Sequence, residues 1–234
     1  MKAYDKKQAL IALHIPKTGG NSFLELLKIW FPGERLFLHY KVGEIAPIRH
    51  VLLPSTCVYG HFNSARGWGA LDYYPTINQF VTFLREPFDR FLSQWFFLNQ
   101  LKRTGSTIPG LEDDPTFEVW LHRRAEEQAI GKNSFSFVWQ LPLAANRRAI
   151  ETIFAENFIF IGIMERFTES ITCLANILGT AALPLPHLNV TKRETNDFLK
   201  YRSYFEKFFS DEVGIYEQAL KVNSAMIESV KQQG

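Results

Sequence analysis

The chain has few of the features that mark disulfide-rich, metal-binding or nucleic-acid-binding proteins. Its 234 residues include two cysteines, Cys57 and Cys173, which are too few for a disulfide scaffold and lie in patterns typical of buried free thiols. No histidine or cysteine cluster has the spacing of metal ligands, so we expect no metal. A formal net charge of +2 is too small for a general nucleic-acid binder, although it allows a local basic pocket.

Long hydrophobic runs are also missing. The apolar stretch near the N-terminus, residues 9–15, is too short and too interrupted for a signal peptide or a membrane span. No other window approaches a spanning length, so the sequence favours a soluble, cytoplasmic protein without a membrane span. A chain from which an N-terminal anchor had been removed would show the same pattern.

What is present is typical of one α/β domain. The length and a hydrophobic fraction of 46% suit a single domain over residues 1–234, mainly helical from about residue 194. Four short apolar runs are interpreted as strands, at residues 9–14, 56–59, 80–84 and 158–163. Amphipathic helical patterns alternate with them. The sequence therefore predicts a P-loop-like three-layer fold, with a central, mainly parallel sheet flanked by helices.

The turn after the first predicted strand has the composition of a phosphate-binding loop. Residues 16–22 read PKTGGNS and lead into a helical pattern that Asn21 or Ser22 could cap. A helix N-terminus presents unpaired N–H groups to an anion, Gly19 and Gly20 allow close backbone approach, and Lys17 adds a cation. The loop is not a Walker A motif, because its lysine precedes the glycines and no carboxylate beside it suits magnesium.

A second basic position follows the third predicted strand. Arg85 comes directly after that strand, and Ser93 lies two turns into the next helical pattern. An arginine can grip a phosphate with two hydrogen bonds and a serine can donate one more, so we expect a second phosphate site here. The alternative is that Arg85 pairs with Glu86 or Asp89 at the start of the helix. We expect Arg90 to brace this helix rather than to contact a ligand.

Together these segments resemble the PAPS-dependent sulfotransferases, in particular the carbohydrate (heparan-sulfate 2-O-like) and bacterial branch. In that family a PKTG-type loop holds the 5′-phosphosulfate, and the first arginine and the serine of an R-x-P-x-x-R-x-x-S segment hold the 3′-phosphate. Three further segments resemble the family: residues 59–62 (YGHF), 162–167 (GIMERF) and a late cofactor-closing loop at 187–193. Asn21 departs from the threonine or serine that is usual there.

The resemblance implies 3′-phosphoadenosine 5′-phosphosulfate as the sulfo donor, adenosine 3′,5′-bisphosphate as the product, and no metal. The acceptor would be a hydroxyl of a saccharide or a small molecule. The cofactor-binding residues would then be Lys17, Thr18, Gly19, Gly20, Asn21, Ser22, Arg85, Ser93, Lys192 and Arg193.

Sulfo transfer needs a base for the acceptor hydroxyl and a cation for the leaving phosphate. His61 is our candidate base, because it ends a strand beside the loop and occupies the position of the family's catalytic histidine. Lys17 is the candidate cation. His14 is expected to support the loop backbone, and Glu86 and Glu165 are weaker alternatives as bases.

The acceptor side is less determined by the sequence. Four aromatic residues could stack on a sugar or aryl ring or belong to the core, and two arginines could meet an acidic acceptor or lie at the surface: Trp68, Tyr73, Tyr74, Trp95, Arg66 and Arg103. Two other functions stay open, namely a P-loop-type nucleotide kinase or phosphotransferase, and a catalytically silent nucleotide-binding module.

Overall fold

The computed structural model describes residues 1–42, 45–106, 116–142, 149–183 and 196–233. The five strands of these residues are β1 (Leu10–Leu13), β2 (Leu36–His39), β3 (Cys57–Gly60), β4 (Phe80–Leu84) and β5 (Phe158–Ile163). The helices are α1 (Gly20–Trp30), α2 (Ala70–Tyr73), α3 (Pro87–Arg103), α4 (Phe117–Ala129), α5 (Phe137–Gln140), α6 (Ile150–Asn157), α7 (Phe167–Leu178), α8 (Arg202–Phe208) and α9 (Ser210–Gln233).

All five strands pair in parallel in the order β2-β3-β1-β4-β5. Alternate side chains of a strand point to opposite faces, and both faces of β1 are covered. Leu10 and Ala12 join a core cluster with α1 and α7, whereas Ile11 and Leu13 join one with α6 and part of α9. The central parallel sheet flanked by helices confirms the predicted α/β fold class.

A third hydrophobic cluster of the described residues lies among helices and includes no residue of the sheet. It joins α3, α4 and α8 through buried aromatic side chains: Phe88, Phe91, Trp95, Phe117, Trp120, Phe205 and Phe209. Arg90 is fully buried at its edge, where Nη1 lies 3.1 Å from the Glu212 carboxylate and the guanidinium also donates to the Phe135 carbonyl. Burial lowers the pKa of Arg90 to about 10, a value at which it is still charged at neutral pH. The expectation that Arg90 braces α3 is confirmed.

The strand order creates a crevice between β1 and β4. From β1 the chain moves to β2 on one side, whereas from β4 it moves to β5 on the other. In open parallel sheets such a switch point, at the carboxyl ends of the strands, is where ligands bind. The turn into α1 and the turn into α3 therefore flank one crevice.

The four predicted strands are confirmed, and both cysteines are buried free thiols. Strand β2 was not predicted. The single-domain interpretation of residues 1–234 stays a prediction. Among the described residues, no helix is both long enough and apolar enough to cross a membrane.

Candidate active site

The turn between β1 and α1 leaves the start of the helix open. Gly19 is the N-cap, with a left-handed φ of 82°, and α1 begins at Gly20. No side chain of the described residues caps this helix, and its first turn has no acidic residue. The first N–H groups and the positive end of the helix dipole are thus available to an anion.

The expectation that Asn21 or Ser22 caps α1 is wrong. Both residues lie inside the first turn, where Asn21 is exposed and Ser22 is buried. The left-handed conformation of Gly19, which glycine adopts without steric cost, starts the helix before either side chain can cap it. Lys17 also has a positive φ, of 70°, which is uncommon for a residue with a side chain.

Close packing fixes the shape of this loop. A Cβ atom on Gly20 would lie 1.9 Å from Nε2 of His14, and one on Gly19 would lie 2.5 Å from Sδ of Met164. The buried Thr18 hydroxyl donates to the Ile15 carbonyl at 2.8 Å. The loop therefore needs both glycines for steric reasons, independently of any ligand.

The structure brings His61 next to this loop. Because Leu13 pairs with Gly60, the residue after β3 lies beside the end of β1. Nδ1 of His61 is 2.7 Å from the carbonyl oxygen of His14, and its backbone N–H donates to the His39 carbonyl at 3.0 Å. A carbonyl only accepts, so Nδ1 carries the proton and Nε2 of the neutral ring has a free lone pair.

The surroundings of His61 keep it neutral. Burial is the main cause that lowers its pKa from the ordinary 6.5, and the nearby charge of Arg66 acts in the same direction. The hydrogen bond to the His14 carbonyl opposes these effects without cancelling them. Nε2 makes no hydrogen bond to a described residue, so this nitrogen can accept a proton at neutral pH.

Lys17 lies between the loop and α3. Its Nζ is 4.1 Å from the centre of the Phe97 ring, one turn beyond Ser93 on α3. A cation over an aromatic face is attracted electrostatically by the ring. This contact places the Lys17 ammonium group between the turn that follows β1 and helix α3.

The expected competitors of Arg85 are engaged elsewhere. The Glu86 side chain accepts from the Asp89 N–H at 2.7 Å as the cap of α3, and its other oxygen lies 2.9 Å from Arg202. Arg202 also reaches Asp89 at 3.9 Å. Arg85 itself is half-buried and makes no hydrogen bond or salt bridge with any residue that the structure describes. Neither carboxylate thus lies within salt-bridge distance of Arg85, although the charge of Arg85 opposes the burial that raises the pKa of Asp89.

The remaining predicted ligand residues are distributed as follows. Ser93 is buried in α3, and its hydroxyl forms no hydrogen bond within the described ranges. Glu165, a weaker candidate base, accepts from the Glu86 N–H and from the Tyr216 hydroxyl, so it is committed to structural contacts. Lys192 and Arg193 lie outside the described residues.

The aromatic candidates on the acceptor side divide into two pairs. Tyr74 and Trp95 belong to core clusters, whereas Trp68 and Tyr73 are half-buried. Arg66 is exposed and bonds Ser134, and its charge acts on His61. Arg103 is exposed at the end of α3, where its Nε donates to the Asn99 carbonyl at 3.4 Å. The half-buried pair and the two arginines stay candidates for acceptor contacts.

Two tyrosines of the site were not singled out by the sequence. The Tyr59 hydroxyl donates to the Gly20 carbonyl at 2.7 Å, and the Tyr40 hydroxyl lies 2.8 Å from Nδ1 of His14. Tyr59 was visible as a strand residue before Gly60, but its pairing partner was not. In the described part of the chain, no group of three or more His, Cys, Asp or Glu residues could hold a metal ion.

Comparison with known proteins agrees with the fold class and with the family that the sequence resembles. The family model described as Sulfotransferase family matches residues 3–232. The fold is similar to mouse sulfotransferase SULT7A1 in complex with PAP, at a TM-score of 0.54 and 13% identity over 98% of this chain and 90% of that one. It is also similar to a sulfotransferase from Alicyclobacillus acidocaldarius, at a TM-score of 0.53 and 14% identity over 93% of this chain and 97% of that one. No curated protein matches the chain. The family match over nearly the whole length shows that this chain belongs to the sulfotransferase family, as the sequence predicted.

Proposed function

We propose that this protein transfers the sulfo group of 3′-phosphoadenosine 5′-phosphosulfate to a hydroxyl of a carbohydrate or small-molecule acceptor. The observation that carries this proposal is the pairing of an open helix N-terminus at Gly20 with His61, whose Nε2 has a free lone pair. One feature suits the donor and the other suits the acceptor. The mouse structure in complex with PAP supports the choice of nucleotide.

Two separate positions would hold the nucleotide. Residues 17–22 would bind the 5′-phosphosulfate with backbone N–H groups and short side chains, since the first turn of α1 has no acidic residue of its own. Arg85 and Ser93 would bind the 3′-phosphate, and Lys192 and Arg193 would close over the nucleotide as the family resemblance implies. Bound there, the donor supplies an activated sulfo group with a phosphate as its leaving group.

The protein's own groups then perform the transfer. His61 accepts the acceptor's proton at Nε2 while the acceptor oxygen bonds to sulfur and the bond from sulfur to the phosphate oxygen breaks. Lys17 leaves the Phe97 ring and neutralises the charge on the leaving phosphate, which becomes adenosine 3′,5′-bisphosphate. The proton, the sulfo group and the electron pair are thus each accounted for.

The test is turnover by the purified protein with this donor and a panel of hydroxylated acceptors, measured as bisphosphate release. His61→Ala should lower kcat by about 100-fold or more, because a positioned base typically contributes 10²–10⁴-fold. Bisphosphate affinity should stay close to that of the wild type. His122→Ala is the matched control, since that histidine is exposed and stacks on Tyr204, away from β1 and β3.

Three other results would contradict part of this proposal. Unchanged turnover in His61→Ala would overturn the assignment of the base. Nucleotide binding without transfer to any acceptor would favour a catalytically silent module. Magnesium-dependent ATP binding and hydrolysis would favour a phosphotransferase.

A further inference from the structure

His14 occupies the centre of the site without a role in the transfer described above. Its ring stacks on Tyr59, at 5.1 Å between ring centres and 11° between planes, and on His61, at 4.3 Å and 24°. Two neighbouring rings therefore pack against the His14 imidazole. One of these neighbours is the proposed base.

The backbone of His14 is bound to the same neighbours. Its N–H donates to the Gly60 carbonyl at 2.8 Å, and its carbonyl accepts the Nδ1–H of His61 at 2.7 Å. One residue thus fixes both the strand end that carries the base and the tautomer of the base.

The ring edge of His14 makes two further contacts. Nδ1 is 2.8 Å from the Tyr40 hydroxyl, and Nε2 fills the space where a side chain on Gly20 would begin. Tyr40 also packs its edge against His61, with ring centres 5.0 Å apart. Since Tyr59 donates to the Gly20 carbonyl, the stack joins the base to the first residue of α1.

From this arrangement we propose that His14 is a positioning residue: its ring fixes the plane of the His61 imidazole, while its carbonyl holds the tautomer that leaves Nε2 as the proton acceptor. The proposal deepens the proposed function and rests on it. It distinguishes His14 from a residue that only supports the phosphate loop.

His14 also affects the charge state of its neighbour. Burial lowers the pKa of His14 to about 3, so this ring is neutral and adds bulk but no charge beside His61. The other ionisable groups facing His61 are the Tyr40 phenol, the His39 imidazole, and the Arg66 guanidinium, whose charge lowers the pKa of His61. Removing the His14 ring would admit water beside His61, so the pKa of His61 would rise toward its ordinary value.

Two matched variants separate the stacking of the His14 ring from its hydrogen bond with the Tyr40 hydroxyl. His14→Asn removes the ring face but keeps an amide that can reach this hydroxyl. Tyr40→Phe removes the hydroxyl and leaves the stacked rings of Tyr59, His14 and His61 in place. The measurements are a pH titration of ¹⁵N-labelled histidines by NMR, the pH profile of kcat, and bisphosphate affinity.

In wild-type protein, we expect His61 to show the Nδ1–H tautomer and to titrate below pH 6.5. In His14→Asn the titration of His61 and the acid limb of the kcat profile should both move to higher pH. At the plateau kcat should be about 10-fold lower, part of the range that a positioned base contributes. Tyr40→Phe should change each quantity in the same direction but less.

A loop-support role would give a different pattern, namely a loss of bisphosphate affinity in His14→Asn with an unchanged acid limb, and that result would overturn the proposal. An Nε2–H tautomer of His61 in wild-type protein would also overturn it. The NMR measurement needs no turnover. An absence of sulfo transfer together with the expected tautomer would therefore contradict the proposed function and not the placement of His61 by His14. If His14→Asn does not fold, the wild-type tautomer and the Tyr40→Phe titration still decide.

Discussion

The turn after β1 and the turn after β4 flank the same crevice, yet their helices begin in opposite ways. Helix α1 starts behind a left-handed glycine, without a side-chain cap in the described structure and without an acidic residue in its first turn. Helix α3 starts with Glu86 as a cap, Pro87 at its first position and Asp89 in its first turn. The first helix can therefore offer its N–H groups to an anion, whereas at the second Pro87 has no N–H and the Asp89 N–H is already bound by Glu86.

This difference indicates how each turn would bind a phosphate. At α1 the backbone does the binding, so the loop depends on glycines and on the packing around them. At α3 an anion would have to be bound by side chains, Arg85 before the helix and Ser93 within it. Arg202 lies within ion-pair distance of Glu86 and Asp89, so it would weaken the competition of these two carboxylates for Arg85.

Gly20→Ala should have the largest effect of these variants, because it disturbs the anion site at the start of α1. A Cβ there would lie 1.9 Å from Nε2 of His14, so either the loop or the stacked ring must move. A shift of about 1 Å in such a site can cost about 100-fold in rate. Because the displaced N–H groups would no longer point at the phosphate, we expect bisphosphate affinity to fall as well. Isothermal titration measures it.

Gly33→Ala is the control, because nothing lies within 4 Å of its Cβ position; unlike Gly20, Gly33 has a positive φ, of 63°. It should lower stability by about 1 kcal/mol, the cost of a left-handed residue with a side chain, without changing affinity. Equal losses of affinity in both variants would show that the packing around Gly20 has no special role.

Arg85→Ala should weaken the proposed phosphate site at α3 and leave the site at the start of α1 intact. Losing a charge-assisted bond of about 1.5–3 kcal/mol should weaken adenosine 3′,5′-bisphosphate binding about 10- to 100-fold. Adenosine 5′-monophosphate, which lacks the second phosphate, should bind the variant and the wild type equally. An equal loss for both nucleotides would contradict the assignment of Arg85 to the 3′-phosphate.

Arg202→Ala should have the smallest effect and sharpen the comparison. It frees Glu86 and Asp89 to attract Arg85, and partly exposed ion pairs contribute up to about 1 kcal/mol, so bisphosphate affinity should fall by up to about five-fold. The loss should diminish at high salt. Arg124→Ala, which removes an ion pair with Glu127 on α4, is the control and should change nothing. An increase in affinity in Arg202→Ala would show that Arg202 competes for the ligand instead.

Much of this site could be predicted because its residues follow strands that the sequence marks clearly. The runs before Lys17, His61 and Arg85 are continuous and apolar, and the carboxyl ends of parallel strands share one edge of the sheet. That rule alone brings the three residues together. The fold class followed from the same alternation of strands and helices.

Other features depend on contacts that no local pattern contains. Strand β2 has four residues and pairs only with β3, so its half-exposed side chains give no buried run. Tyr40 follows β2, so its contact with His14 could not be predicted without that strand. The cap of α1 was assigned to Asn21 or Ser22 from residue preference, but the conformation of Gly19 decided it. The tautomer of His61 depends on a carbonyl from another strand.

Thermal unfolding shows whether the two turns bind the two phosphates of one nucleotide. A ligand at 100 times its dissociation constant stabilises the native state by about 2.7 kcal/mol, which raises Tm by several degrees in a chain of this size. We predict such a rise with adenosine 3′,5′-bisphosphate and a clearly smaller one with adenosine 5′-monophosphate at equal concentration. No rise with millimolar bisphosphate, or equal rises with both nucleotides, would contradict the account.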